Sequence, residues 1–362
     1  MAYDGNTYSN RVDVTTERKL HAKVVDNVLT SRTYISRLMS QGKPFVGKTM
    51  DFTTKITNSG TFEWFTGLET LNSAAVDGLI QLSYSHVAGT QPQVSIMLDS
   101  FANEGSTGTI SLDAYKHEEA AAEAVQAVGT AAFGDGTGNT PDGLAIGVDS
   151  SGTIGGQSRT TYATLAATET ASGGTMTLVK LGTLDSTISA SGIEAATPNI
   201  NLTTKTIFDL YEQLLQPQVR ADYQAVGYNR LPVKGNQIVK PSDSMAQAGF
   251  TSLAHRGAPV IKDDVATSGV WYKLNERTFN WYGRSVVPSA YAGKIEKVNL
   301  GTMKHFEGVG ADTMPSEYNG WFHQPLMALP NQAGMIARFY VIGQICWTQP
   351  RRNGKLTGIT GV

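Results

Sequence analysis

Cysteine is almost missing from this chain of 362 residues: Cys346 is the only one. A lone cysteine excludes an intrachain disulfide and any cysteine-based zinc finger. The fold must then be stabilised by burial and by contacts between chains, and a reducing cytoplasm is the simplest compartment. Charge is scarce as well. Charged residues make up 17% of the sequence, below the ~25% of ordinary soluble domains, and the formal net charge is −2. No block of Lys or Arg stands out beyond Arg351-Arg352, so the electrostatic footprint of a nucleic-acid reader is missing. Long hydrophobic runs are missing too. The most apolar stretch, Ala337 to Trp347, contains Arg338 and Gln344 and falls well short of the ~18 residues of a membrane span. The opening MAYDGNTYSN has no basic region followed by an apolar one, so no signal peptide is read.

What is plentiful is glycine, with 38 residues. The length exceeds the usual ~100–200 residues per domain and predicts one discontinuous or two contiguous domains. Residues 1 to about 15 are polar and aperiodic and read as an arm that orders against a partner. Leu20, Val24, Val28, Ile35, Leu38 and Met39 then recur at helical spacing, which predicts a helix over 16–41 that Gly42 and Pro44 stop. Alternation follows at Met50, Phe52 and Ile56, at Phe62, Trp64 and Leu68 beyond an Asn58-Ser59-Gly60 turn, at Ile80, Leu82, Tyr84 and His86, and over Val94 to Leu98. Residues 48–98 thus read as long antiparallel strands with a polar tip, a ribbon that cannot build its own core and must lie on something else.

Ser111 caps a thin, alanine-rich helix that runs to Gly134. A connector rich in Gly, Ser, Thr and Ala extends to about 200, with a weak strand signal at Thr175 to Lys180. A third helix is expected over Thr204 to Leu215. Beyond it, strands are expected at Gln237 to Val239, Pro259 to Ile261, Val270 to Leu274, Ile295 to Leu300 and Ile336 to Trp347. Helices and strands do not alternate, so the fold class is α+β.

Few motifs carry chemistry. GKPFVGKT, Gly42 to Thr49, formally matches the phosphate-cradling G-x-x-x-x-G-K-[ST] loop. That chemistry needs a strand before the loop and a helix after it, and here the order is reversed; Pro44 also removes a backbone donor. FGDGTGN, Phe133 to Asn139, spaces Asp135, Thr137 and Asn139 like early calcium ligands. Thr140 and Ile146 stand where a calcium loop needs Gly and Glu, so a structural turn is expected. The six histidines show no metal-binding spacing, and His117 reads as part of a solvated helix face. Cys346 reads as an inert core residue, and Trp271, Tyr272, Phe279, Trp281 and Tyr282 as core or interface packing rather than a ligand platform. Neither a catalytic site nor a cofactor is assigned.

The order of helix, FGDGTGN and GTIGGQSRTTY (Gly152 to Tyr162) resembles that of the major capsid proteins of tailed bacteriophages, those with the Hong Kong 97-type shell fold. GKPFVGKTMDFTTKI (Gly42 to Ile56) is similar to the entry of that family's extended loop, and EWFTGLETLNSAAVDGL (Glu63 to Leu79) to its tip. GFTSLAHRGAPVIKDD (Gly249 to Asp264), SGVWYKLNERTF (Ser268 to Phe279) and GQICWTQPRRNGKLTGI (Gly343 to Ile359) resemble its later strands and closing segment.

The resemblance implies an N-terminal arm and helix (1–47), an extended β-hairpin loop (48–98) and a peripheral domain with a long spine helix and connector (99–203). It also implies an axial domain (204–320) and C-terminal strands returning to the peripheral domain (321–362). The function implied is a non-enzymatic virion protein that assembles with itself, as hexamers and pentamers, into an icosahedral shell. That shell would enclose double-stranded DNA without sequence-specific contacts, with assembly in the bacterial host cytoplasm and no membrane. Trp64, Phe65, Gly67 and Leu68 become the expected intersubunit contacts. A portal protein and a decoration protein are further expected partners. Only about fifteen residues precede the first helix, which implies a separate scaffolding protein. No lysine–asparagine crosslink is matched by motif. An encapsulin-like compartment is the alternative within the same fold, and a nucleotide enzyme using Gly42 to Thr49 the alternative outside it.

Overall fold

The computed structural model describes residues 33–57, 62–71, 77–103, 111–171, 173–190, 197–215, 253–298, 320–330 and 332–361. The arm, the first part of helix 16–41, the turn at Asn58-Ser59-Gly60 and the strand expected at Gln237 to Val239 lie outside them.

Helix α1 (Thr33–Ser40) buries Tyr34, Ile35, Leu38 and Met39, the stripe its spacing predicts. It closes where Gly42 N–H donates to the Met39 carbonyl, and β1 (Lys43–Phe45) follows. Strands β2 (Thr49–Lys55) and β3 (Leu79–Ser85) pair antiparallel from Thr49↔Ser85 to Lys55↔Leu79. Because a two-stranded ribbon lacks a core, its inward residues Leu82 and Tyr84 are buried against the body, where the Tyr84 hydroxyl donates to the Trp347 carbonyl at 2.8 Å. Residues 62–71, between the two strands, form neither strand nor helix, although Phe62, Trp64 and Leu68 alternate as a strand would.

The strand signal at Val94 to Leu98 belongs elsewhere. It is the end of β4 (Val87–Ile96), which leaves the ribbon and pairs with β16 (Gly334–Trp347) over ten positions, Val87↔Gly343 to Ile96↔Gly334. At Met97 the ladder ends and α2 (Met97–Asn103) begins, so Leu98 is helical. With β13 (Phe279–Arg284), β14 (Glu296–Lys297) and β15 (Trp321–Ala328), these strands form a six-stranded sheet ordered β1-β13-β16-β15-β14, with β4 beside β16. From the registers, β4 takes Gly334 to Gly343 along one edge of β16, while β15 and β13 lie end to end along the other, β15 beside Met335 to Val341 and β13 beside Gly343 to Trp347.

Helix α3 (Leu112–Phe133) lies on this sheet. Ser111 caps it by accepting from Ala114 N–H, and Ala120, Ala121, Ala124 and Ala132 are buried, so small side chains let the rod approach closely. Its first turn is fixed to β4, since Ser95 Oγ donates to Asp113 Oδ1 at 2.6 Å and Gln93 Nε2 to the Asp113 carbonyl. The FGDGTGN segment is the expected turn. Asp135 Oδ1 accepts from the Thr137 N–H, and Gly136, Gly138 and Asn139 all adopt positive φ. The chain then folds back into α4 (Leu144–Gly147).

The connector is more ordered than its composition suggests. It carries a small hairpin, β5 (Thr153–Ile154) with β6 (Gln157–Ser158), then β7 (Thr168–Thr170) and β8 (Gly174–Thr175). Buried Arg159 holds it together by donating to the carbonyls of Ser151, Ile146 and Leu165. Thr175 to Lys180, read as a strand, is divided between β8 and helix α5 (Leu178–Ala190), because Leu181, Leu184 and Ile188 form a buried helical stripe hidden among Thr, Ser and Gly. A second sheet, ordered β10-β11-β9-β12-β17-β7, combines β9 (Ile200–Thr203), β10 (Leu253–His255), β11 (Ala258–Lys262), β12 (Trp271–Leu274) and β17 (Gly354–Leu356) with β7. α5 and the helical residues 205–215 (α6) cover it around Trp271, and β18 (Ile359–Gly361) pairs with β8.

Candidate assembly surfaces

The four residues expected to make intersubunit contacts sit together on the segment joining β2 to β3. Trp64 is 87% exposed, Phe65 59% and Leu68 fully exposed, and Gly67 has φ +79° with no other atom within 4 Å of a would-be Cβ. The Phe62 and Trp64 rings meet edge to face at 5.0 Å, and Thr66 donates to Glu69. Several large apolar side chains thus stand exposed on one loop, an uncommon arrangement for a surface that faces only water.

Two further surfaces escape a reading of the sequence. On the sheet face away from Gln93 and Ser95, Val94 pairs with Ile336, and Ile336 with Met327; Ile96 at the end of β4 and Leu98 and Phe101 on α2 are exposed as well. The second is a cleft of about 480 Å³ between β2 and the segment after β16. Residues 51–56 form one wall and Thr348 to Arg352 the other, with buried Leu165 between. Its walls are about 300 residues apart in sequence, which is why no local pattern announces it.

The remaining candidates resolve into structure. Gly42 to Thr49 follows α1, contains β1 and leads into β2, so no helix N-terminus faces a phosphate; the Gly47 carbonyl instead accepts from Arg284 Nη1 at 2.7 Å. Cys346 is fully buried, and burial drives its thiol far above the ordinary range. Trp271, Tyr272, Phe279, Trp281 and Tyr282 are all buried. His117, with Glu118 and Glu119, is exposed as the sequence predicts, and it also has neighbours. Its ring packs against His323 at 4.8 Å and Phe339 at 4.9 Å, and its Nδ1 lies 3.3 Å from Gln93 Oε1. Burial, with His117 beside it, lowers the pKa of His323. Among the described residues no group of three or more His, Cys, Asp or Glu is placed to hold a metal, and no helix is long and apolar enough to cross a membrane.

A buried ionic cluster joins α5 to the second sheet. Lys273 Nζ, on a side chain only 1% exposed, lies 2.7 Å from Asp185 Oδ2 and 2.9 Å from His255 Nδ1. Burial pushes the Asp185 carboxyl up, but the hydrogen bonds from His255 and Lys273 outweigh it and hold it below its ordinary value. Burial lowers the pKa of Lys273. The cluster is closed off by its own partners and ties elements together.

Neither a protein-family model nor a curated protein matches the sequence. Solved structures do match, from end to end. A chain of the cyanophage A-1(L) capsid asymmetric unit superposes with a TM-score of 0.64 at 13% identity, over 96% of this chain and 98% of that one. A chain of the capsid of a native GTA particle gives 0.57 at 11% identity, over 99% and 100%. The chain has the Hong Kong 97-type shell fold. A chain of the holo-SrpI encapsulin complex from Synechococcus elongatus gives 0.53 at 10% identity, over 99% and 96%. In a shell fold, the long α3 and the ribbon β2–β3 with its exposed loop are the spine helix and extended loop expected from the sequence.

Proposed function

We propose that this protein is the major capsid protein of a tailed phage, a structural and non-catalytic subunit that assembles with itself into the icosahedral head shell around double-stranded DNA. The observation that carries the proposal is the loop 62–71, whose exposed Phe62, Trp64, Phe65 and Leu68 need a cover that their own chain does not give them. Superposition over nearly the full length of capsid chains supports it. In this reading the loop between β2 and β3 reaches across neighbours, 99–203 and 321–362 build the peripheral domain together with β4 and β13 of the shared sheet, and the remainder of 204–320 gathers around the five- and six-fold axes. The partners are further copies, a scaffolding protein, a portal protein and a decoration protein, with assembly in the host cytoplasm.

The test is expression of the chain with and without residues 58–76, followed by negative-stain electron microscopy of the high-mass fraction. Closed shells from the whole chain, and folded subunits without closed shells from the deletion, are the expected results. Normal shells from the deletion overturn the role of the loop. The encapsulin likeness favours a second reading, a compartment holding protein cargo. Purified particles that contain a protein cargo and no DNA decide for it.

A further inference from the structure

The cleft beside β2 has the properties of a receptor for an extended chain. β2 pairs with β3 alone among the described strands, so its other edge presents backbone donors and acceptors to the cleft. At about 480 Å³ the cleft lies within the roughly 300–1,000 Å³ typical of sites that enclose a ligand. It is amphipathic. Phe52 and Ile56 supply apolar surface, while Lys55, Arg351 and Arg352 outnumber Asp51, whose carboxylate already accepts from Ser83.

The loop that emerges from the same ribbon has the complementary character. Residues 56–78 carry Glu63, Glu69 and Asp77 and contain no Lys, Arg or His. Its aromatic residues stand exposed rather than folding back into the cleft of their own chain. Resting on the proposal that the loop contacts neighbours, we infer that its tip, Glu63 to Glu69, seats in the β2 cleft of a second copy. There Trp64 and Phe65 cover Phe52 and Ile56, and Glu63 and Glu69 face Lys55, Arg351 and Arg352. Tip and cleft are different surfaces of one subunit, so the contact is head to tail and propagates around a ring until it closes. The opposite charges orient the loop as it arrives, and the aromatic residues hold it.

Photocrosslinking in assembled shells tests this. A photoreactive phenylalanine analogue replaces Phe65, light- and heavy-isotope chains are mixed before assembly, and the crosslinked peptides are identified by mass spectrometry. The expected product joins residue 65 of one copy to residues 51–56 or 348–352 of another. A crosslink to 94–101 or 326–336 of another copy overturns the cleft as receptor while leaving the loop as an interface. Closed shells with no intermolecular crosslink at residue 65 overturn both. Glu63→Lys with Glu69→Lys lowers the yield about tenfold, and adding Arg351→Glu with Arg352→Glu restores it. A yield indifferent to the first pair of changes overturns the charge pairing.

Discussion

Gly147 lies face on against the indole of Trp347, so close that a Cβ on Gly147 would stand 2.0 Å from Cε2. The same indole donates from Nε1 to the Asp142 carbonyl at 2.9 Å and stacks on Phe279 at 4.5 Å, so it cannot move aside without losing both contacts. Gly147→Ala is therefore expected to destabilise the subunit by about 3 kcal/mol, at the upper end of overpacking costs. Urea unfolding followed by tryptophan fluorescence measures it. An unchanged midpoint refutes the packing account.

The cluster of Lys273, Asp185 and His255 predicts an asymmetry between breaking and replacing. Asp185→Ala leaves the buried Lys273 ammonium without its carboxylate and is expected to cost about 3–5 kcal/mol. Asp185→Leu combined with Lys273→Met removes both charges and is expected to cost less than Asp185→Ala alone. Denaturation midpoints of the two variants, measured side by side, check the order.

Burial pushes the Asp142 carboxyl up from 3.8 to about 6. A raised carboxyl favours the fold while it is protonated, so its unfavourable contribution is absent below about pH 4, grows between about pH 4 and 6, and is complete above that. Asp142→Asn should stabilise the subunit by about 1–2 kcal/mol at pH 8, after allowance for the solvent that still reaches the group, and by almost nothing at pH 4. Calorimetry of both proteins at the two pH values tests the sign. Equal stabilisation at both removes titration as the cause.

Trp64→Ser and Leu68→Ser separate folding from assembly. Both side chains are exposed, so subunit stability should change by no more than about 0.5 kcal/mol. The yield of closed shells should fall at least about tenfold if these residues are buried between copies. Light scattering against unfolding midpoint compares the two effects, and a loss of stability equal to the loss of assembly contradicts the prediction.

The parts legible in the sequence were those whose signal is local. Ser111 with the alanines through Ala132 announces α3, the apolar run ending at Trp347 announces β16, and the apolar residues from Val270 to Leu274 announce β12, whereas β13 was not among the expected strands. Non-local pairing left no such trace. Val94 and Ile96 look the same whether their strand continues the ribbon or joins β16, and only the register with Gly334 to Gly343 decides between them. Helix α5 was hidden because Leu181, Leu184 and Ile188 are separated by Thr, Ser and Gly, which weaken helical propensity without disturbing the buried stripe. The tip residues Trp64, Phe65, Gly67 and Leu68 were singled out through resemblance, since alternation alone placed them in a strand. The cleft that faces them in the inference above draws its walls from residues 51–56 and 348–352, and no window along the chain contains both.

The position of β16 also sets a timetable for biosynthesis. β4 and β13 emerge from the ribosome before the strand whose opposite edges they line, so neither can complete its ladder until residues 334–347 have been made. Until then the ribbon and the spine helix have no finished sheet to pack on. A nascent chain interrupted before residue 334 lacks the strand with which β4, β13 and β15 all pair, and is expected to expose the apolar surface that strand would cover. For the proposed shell subunit, completion of the polypeptide would thereby act as a checkpoint before self-association.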